Sequence, residues 1–385
     1  MTQVIFTERC DYMKVIAAID SFKGSMTSME AGNAVKKGIL AAKPDAEVWL
    51  SPLADGGEGT VDALIEGLGA KKIPVTVTGP LGEKVSCYYG FLEETKSAVM
   101  EMASAAGITL VTKKDPLRAS TYGVGEMIAD ALKRGCKNFM IGIGGSATND
   151  GGIGMLKALG FEFFDEDGND VGEGAAALAK IEVIRTENKN PLLSGAKFQI
   201  ACDVKNPLCG KQGATYIFGS QKGVTEEQKD QIDEAMRHYA DVTKESLDCD
   251  FADCEGAGAA GGLGYAFLSY LAGELIPGVE LILQATGLEE KMKNADVVVT
   301  GEGRLDAQTV MGKAPAGVAA LAKKYNAKVI AFAGSVASEA KVCNRAGIDA
   351  FFPIVRGVTT LEEAMKKENA MENIAATAEQ VFRLL

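Results

Sequence analysis

Six short glycine-rich segments, each dense in acids, amides or cations, constrain this 385-residue chain more than any other feature. They read 20-DSFKGS-25, 54-ADGGEGT-60, 142-GIGGSATNDGG-152, 202-CDVKNPLCG-210, 256-GAGAAGGLG-264 and 301-GEGRLDAQTVMGK-313. Each closes an apolar run or opens a helical pattern, where a parallel α/β protein carries its ligand-binding loops. Glycine lets the backbone turn sharply and lets N–H groups approach an anion closely. Carboxylates and amides set among those glycines point to a metal and a hydroxyl substrate beside the phosphates. The chemistry read from them is phosphoryl transfer.

The rhythm around these segments is that of a doubly wound sheet. An apolar strand, 14-KVIAAI-19, leads into a helix over 27–42, with Thr27 or Ser28 as N-cap and Glu30 in the first turn. Strand 46–50 follows, then a glycine segment and a helix to about Gly67. The same alternation resumes late, with strands at 296–300, 328–334 and 349–354 and helices over 313–324 and 338–345. The middle differs: a hairpin (84–92 and 96–101), helix 123–134, strand 138–143, helix 151–159, strand 198–202 and a charged amphipathic helix over 225–246. The expected fold is therefore α/β in two domains. One is a mainly parallel, flavodoxin- or Rossmann-like sheet built from both chain ends, residues 13–80 and 290–385. The other is an inserted mixed α/β domain, residues 81–289.

Bulk properties narrow the partners. With 52 acidic against 40 basic residues the net charge is −12, which disfavours nucleic acid and anionic membranes. The eight cysteines form no CxxC pair and His238 is the one histidine, so neither a zinc site nor a disulfide framework is expected. Residues 1–12 lack the features of a signal peptide and read as an N-terminal extension ahead of Met13. No run approaches 18 apolar residues. The expected setting is the cytoplasm.

The chemistry-bearing residues fall into groups. Gly144, Gly145, Ser146 and Thr148, after strand 138–143, suit an anion nest, and Asn149 and Asp150 add polarity that packing alone does not require. Residues 142–147 also fit a loose dinucleotide fingerprint, with Asp165 about twenty residues on. Gly258, Gly261 and Gly262 form a second glycine loop. In 301–313, Arg304 offers a planar fork for a carboxylate or phosphate. Asp306 follows, and Lys313 begins a helix. After the first strand, Asp20 suits a proton acceptor or metal ligand, Lys23 a phosphate counter-charge, and Ser25 a substrate contact. Asp55 with Glu58, and Asp203 with Asn206, suit Mg²⁺ or substrate hydroxyls. Each has a plainer alternative: an N-cap and first-turn acid for Asp55 and Glu58, an Asx turn for Asn206, a surface lysine for Lys23. Walker A and protein-kinase motifs are absent from the sequence.

Taken together and in order, DSFKGS, PLADGGEGT, VTGPLG, EMASAAG, STYGVGE, GIGGSATNDGG, ACDVKNPLCG, QKG, GAGAAGGLG and TGEGRLDAQT-xx-GKAP resemble the bacterial class I glycerate kinases. The resemblance spans residues 20–315. It implies ATP- and Mg²⁺-dependent phosphorylation of D-glycerate, with 2-phosphoglycerate the favoured product, and two α/β domains, one of them discontinuous. Two other classes stay open on the residues alone. One is an NAD(P)-dependent oxidoreductase of a small hydroxy acid, and the other a non-enzymatic sugar-acid binder.

Overall fold

Val15 to Ile19 are all within 1% of complete burial. A strand apolar on both faces must be covered on both, which calls for a parallel sheet layered with helices. Burial of Val15, Ile16 and Ile19 alone is worth about 1.5–3 kcal/mol each. The computed structural model of the chain describes residues 12–53 and 60–385, and it has this architecture.

In chain order the strands are β1 (Lys14–Ile19), β2 (Glu47–Pro52), β3 (Lys71–Thr78), β4 (Lys84–Leu92), β5 (Ser97–Glu101), β6 (Asn138–Gly142), β7 (Glu162–Phe164), β8 (Val183–Arg185), β9 (Lys197–Ala201), β10 (Glu274–Ile276), β11 (Val297–Leu305), β12 (Lys328–Val336) and β13 (Ala350–Pro353). The chain divides into two compact units. One holds residues up to Leu53 together with Leu283–Leu385, and the other holds the intervening stretch to Ile282. The expected extension 1–12 lies, but for Tyr12, outside the described residues.

The first unit is a five-stranded sheet in the order β13-β12-β11-β1-β2, parallel throughout. From β1 the chain moves outward to β2, and from β11 it moves the other way to β12 and β13. The order thus reverses between β1 and β11, and ligands of open α/β sheets bind beyond the carboxyl ends at such a point. Helix Ser28–Ala42 connects β1 to β2. Its start is fixed by a capping box: Thr27 Oγ1 accepts from Glu30 N at 3.2 Å, and Glu30 Oε2 from Thr27 N at 2.9 Å. Val35 and Ile39 of this helix share a core with Val15, Ala17 and Ile19 of β1 and with Ile374 and Phe382 of helix Lys367–Phe382.

The inserted unit carries a mixed sheet, β10-β9-β6-β5-β4-β3. β10, β9, β6 and β5 run parallel, while β4 and β3 add as antiparallel hairpins. Helix Thr60–Leu68 and β3, which the sequence rhythm groups with the first domain, contact β4 and β5 and lie in this unit. The charged helix forms over Glu226–Leu247. It buries Ile232, Ala235, Met236, Tyr239, Ala240 and Thr243, a 3–4 spacing that lays one stripe on the core.

Two expectations about elements change. β11 does not stop at Thr300 but runs on to Leu305 because β12 stays paired with it, Glu302 opposite Ala333 and Arg304 opposite Ser335. The helix expected over 338–345 is a 3₁₀ turn, Ser338–Lys341, followed by one α-turn, Val342–Arg345.

Gly38 gives a test of the packing between helices Ser28–Ala42 and Lys367–Phe382. A Cβ there would stand 2.1 Å from the Ala375 carbonyl oxygen and 2.9 Å from the Ala378 Cβ. Alanine normally gains up to about 1 kcal/mol over glycine inside a helix. Gly38→Ala should instead destabilise by roughly 1–3 kcal/mol through overpacking. Denaturant unfolding would show it, and an unchanged or raised midpoint would refute the close approach.

Candidate active site

At the carboxyl end of β1, the Asp20 N–H donates to the Gly301 carbonyl of β11 at 2.9 Å. Residues 281 positions apart in the chain thereby become neighbours at the sheet's reversal point. Asp20 is 7% exposed, and its carboxylate accepts from the N–H of Ser21 at 2.6 Å. The chain then makes a tight loop, with Phe22 N–H donating to the Met26 carbonyl and Ser25 N–H to the Phe22 carbonyl. Lys23 and Gly24 stand exposed at its tip, and the Ser25 hydroxyl is buried without a hydrogen-bond partner. A Cβ on Gly303 would stand 3.9 Å from Phe22 Cα and 4.0 Å from Lys23 N, so this loop lies along β11 at ordinary van der Waals distance.

β11 delivers the charged groups. Glu302 is 8% exposed; its Oε1 accepts from the Thr309 hydroxyl at 2.6 Å, and its Oε2 lies 3.6 Å from the Lys313 ammonium. Lys313 also stands 4.0 Å from Asp306 Oδ1. Asp306 Oδ2 lies 3.6 Å from Arg304 Nε. Asp306 caps the turn after β11, accepting from Gln308 N at 2.9 Å. Lys313 sits at the N-cap position of helix Ala314–Lys324, so its ammonium and the helix's first N–H groups carry the same sign. The two cations, Arg304 and Lys313, thus balance the two carboxylates, Glu302 and Asp306. Among the described residues no group of three or more His, Cys, Asp or Glu is arranged to hold a metal.

The inserted unit has its own cluster at the end of β6. Gly144 and Gly145 are exposed, with Gly145 at φ 75°, and the chain then turns inward so that Ser146 to Asp150 are buried. Ile108 N–H donates to the Gly145 carbonyl and Ala147 N–H to the Ala106 carbonyl, which ties the loop to the segment after β5. Asp150 is fully buried and accepts from Thr121 N and Oγ1, both at 2.8 Å, and from the N–H groups of Gly152 and Gly154. Burial still holds its carboxyl above the usual range. Lys222 is 2% exposed and donates to the Thr148 carbonyl at 2.6 Å. Burial pushes its ammonium down to about 7.

The other sequence-predicted residues take these places. A Cβ on Gly261 would meet the Thr148 carbonyl at 2.2 Å, and one on Gly262 the Gly151 Cα at 2.7 Å. Gly258 packs likewise on the Pro207 carbonyl, so these three glycines make their close approach to protein backbone. Asn206 donates from Nδ2 to the Gln212 carbonyl at 2.8 Å, and its own carbonyl accepts from Gly258 N–H. Asp203 is exposed at the end of β9, and its Oδ1 accepts from Gly278 N at 2.9 Å. Asp55 and Glu58 lie outside the described residues. Asp165 accepts from the N–H groups of Asp167 and Asn169, closing a turn. It follows β7, which pairs antiparallel with β8 in a separate ribbon, so residues 142–165 do not form the parallel βαβ unit of a dinucleotide fingerprint.

Glu302, set between two glycines after a strand in the sequence, and Lys222, within the QKG segment, gain their surroundings only in the fold, which buries both.

An all-parallel doubly wound sheet with Asp20 after β1 and Arg304 on β11, in one chain with an anion-suited glycine loop, has the makings of a phosphotransferase. The chain belongs to the glycerate kinase family: that family's model matches residues 15–385. It is 45% identical over 371 residues to the glycerate kinase of Bacillus subtilis (strain 168), covering 96% of this chain and 97% of that protein. Identity to the glycerate 2-kinase of Escherichia coli (strain K12) is 44% over 372 residues, covering 95% and 98%. A crystal structure assigned to glycerate kinase 2 of Salmonella typhimurium LT2 superposes with a TM-score of 0.89 at 42% identity, over 97% of this chain and 98% of that one. The protein is thus a phosphotransferase with an alcohol acceptor, glycerate, and the family implies ATP as donor. No helix among the described residues is long and apolar enough to cross a membrane.

Burial holds the Glu302 carboxyl above the usual glutamate range, so the folded state keeps this proton to higher pH than the unfolded chain. Wild-type stability should then fall, relative to Glu302→Gln, as pH rises from the ordinary carboxylate range through the raised value. The glutamine still accepts from Thr309. Parallel unfolding curves for the two proteins at all pH values would show that Glu302 ionises like an exposed residue.

Proposed function

We propose that the chain transfers the γ-phosphoryl group of ATP, with Mg²⁺, to the 2-hydroxyl of D-glycerate. The observation that supports this reading is that β1 and β11 pair at the reversal point of the parallel sheet, with Asp20 following β1 and bonded to Gly301, and with Arg304 on β11 and Lys313 after it, both beside Asp306. Such a transfer needs positioning and charge neutralisation more than covalent catalysis. The hydroxyl oxygen attacks the γ-phosphorus, the bond to the β-phosphate oxygen breaks, and ADP leaves with that electron pair. The hydroxyl proton passes to a carboxylate and then to solvent.

Two carboxylates compete for that proton. Asp306 is committed to capping its turn and stands beside two cations, Arg304 and Lys313. Asp20, buried at the strand end, is the better candidate for base. Arg304 is exposed and suited to clamp the glycerate carboxylate. Lys23 and Lys313 would neutralise charge on the migrating group, and Ser25 and Asn206 would contact substrate hydroxyls. The triphosphate is assigned to the N–H groups of Gly144–Thr148, with the loop of Gly258, Gly261 and Gly262 behind it.

Mg²⁺ in phosphoryl-transfer sites keeps several waters and takes one or two carboxylates plus substrate phosphates. The residues present suit that mode, since Asp203 is exposed at a strand end and no closed cage is needed. Asp203 and Asp55 would hold the ion, which when bound supplies further neutralisation of phosphate charge.

Arg304→Ala should cost on the order of 3 kcal/mol of transition-state stabilisation, roughly a hundredfold in kcat/KM for glycerate. Unchanged glycerate-dependent ADP formation would remove Arg304 from the site. Asp20→Asn should lower kcat strongly with circular dichroism and KM nearly unchanged; full turnover would show that Asp20 only forms the turn. Phosphorus NMR of the product decides the hydroxyl, and a 3-phosphate would overturn the 2-hydroxyl assignment.

A further inference from the structure

We propose that Lys222 is a positioning residue for the nucleotide: its ammonium, shut inside the inserted unit, holds the Gly144–Asp150 loop from beneath and supplies positive charge to the phosphates at the loop's exposed tip. The proposal rests on the reading that the triphosphate binds Gly144–Thr148.

A lysine is almost never fully buried without a reason. Lys222 closes a 3₁₀ turn, Ser220–Lys222, and Gly223 at φ 100° then turns the chain back. The ammonium reaches the Thr148 carbonyl at 2.6 Å, in the middle of the buried half of the loop. Two further acceptors of that loop, Thr148 Oγ1 and Asn149 Oδ1, are buried without a hydrogen-bond partner. The inner side of the loop is therefore rich in oxygen, and a cation there is electrostatically favoured. Asn149 Nδ2 pins the loop to Thr215 Oγ1 at 3.0 Å, and Gly151 N–H pins it to the Gly261 carbonyl at 2.9 Å. The tip is thereby the one part of the loop left open to a ligand. The ionisable groups set around Lys222 are Asp150 of the same loop and Lys114, whose side chain begins against Gly223.

A purely structural lysine predicts something different. Replacing a buried charge with an apolar residue of similar shape is often neutral or stabilising. Lys222→Met should therefore keep or raise the melting temperature, while KM for ATP rises about tenfold or more and KM for glycerate stays within about twofold. An unchanged KM for ATP in folded Lys222→Met overturns the proposal. If that variant does not fold, Lys222→Gln, whose amide can still donate to Thr148, removes the charge alone and is held to the same criterion.

Linkage gives a readout in the wild type. With the ammonium pushed down to about 7, Lys222 is mostly neutral at pH 8 in the free protein. Phosphates at the loop tip would favour its protonated form. Calorimetric titration with ADP at pH 8 in two buffers of different ionisation enthalpy should show uptake of a large fraction of one proton, lost in the variant. No uptake overturns the proposal. Gly144→Asp separates this from the reading beneath it. If that tip carboxylate leaves KM for ATP unchanged, the loop does not hold the triphosphate, and both fall. If it raises KM for ATP while Lys222→Met does not, only the role of Lys222 fails.

Discussion

The parallel pairing of β1 with β11 is the constraint on which the rest depends. It joins Val15 to Val297, Ile16 to Val298 and Ala17 to Val299, and it ends on the bond from Asp20 N–H to the Gly301 carbonyl. The two strands come from opposite ends of the sequence, separated by the whole inserted unit. Their pairing is driven by burial of apolar residues that have no other place to go. The polar loops that follow them are carried to one edge as a consequence. Asp20 and Gly301 are neighbours because valines and isoleucines pack, not because either residue seeks the other.

The second cluster uses opposite means. The loop after β6 is held by polar groups inside the protein: four donors converge on Asp150, and Lys222 bonds to Thr148. Buried polar groups are costly unless satisfied, and once satisfied they fix one geometry. Two acceptors of this loop remain unpaired, the kind of exception that accompanies function. Apolar packing sets where the strand ends fall, and buried polar bonding sets the shape of the loop that hangs from one of them.

Much of the secondary structure was legible because periodicity and capping are local. Thr27 with Glu30 marks the start of the first long helix, and the 3–4 spacing from Ile232 to Thr243 marks the face of the longest. The end of β11 was not legible. Its glycines read as a loop, yet β12 supplies a paired neighbour as far as Leu305, and a ladder partner outweighs weak strand propensity. Helix Thr60–Leu68 was equally ambiguous, since an amphipathic helix carries no label for the sheet it will cover. The glycines at 258, 261 and 262 look like a phosphate loop in the sequence. In the fold they admit backbone, because close approach to a carbonyl and close approach to an anion need the same missing side chain.

By itself the sequence determined the class of fold, the family and the inventory of charged groups, because these rest on local pattern and ordered motifs. Tertiary structure alone decided which of those groups meet. It set Lys313 beside Glu302 and Asp306 and sealed Lys222 under the loop. Burial and proximity depend on the path of the whole chain, and no window of residues contains that path.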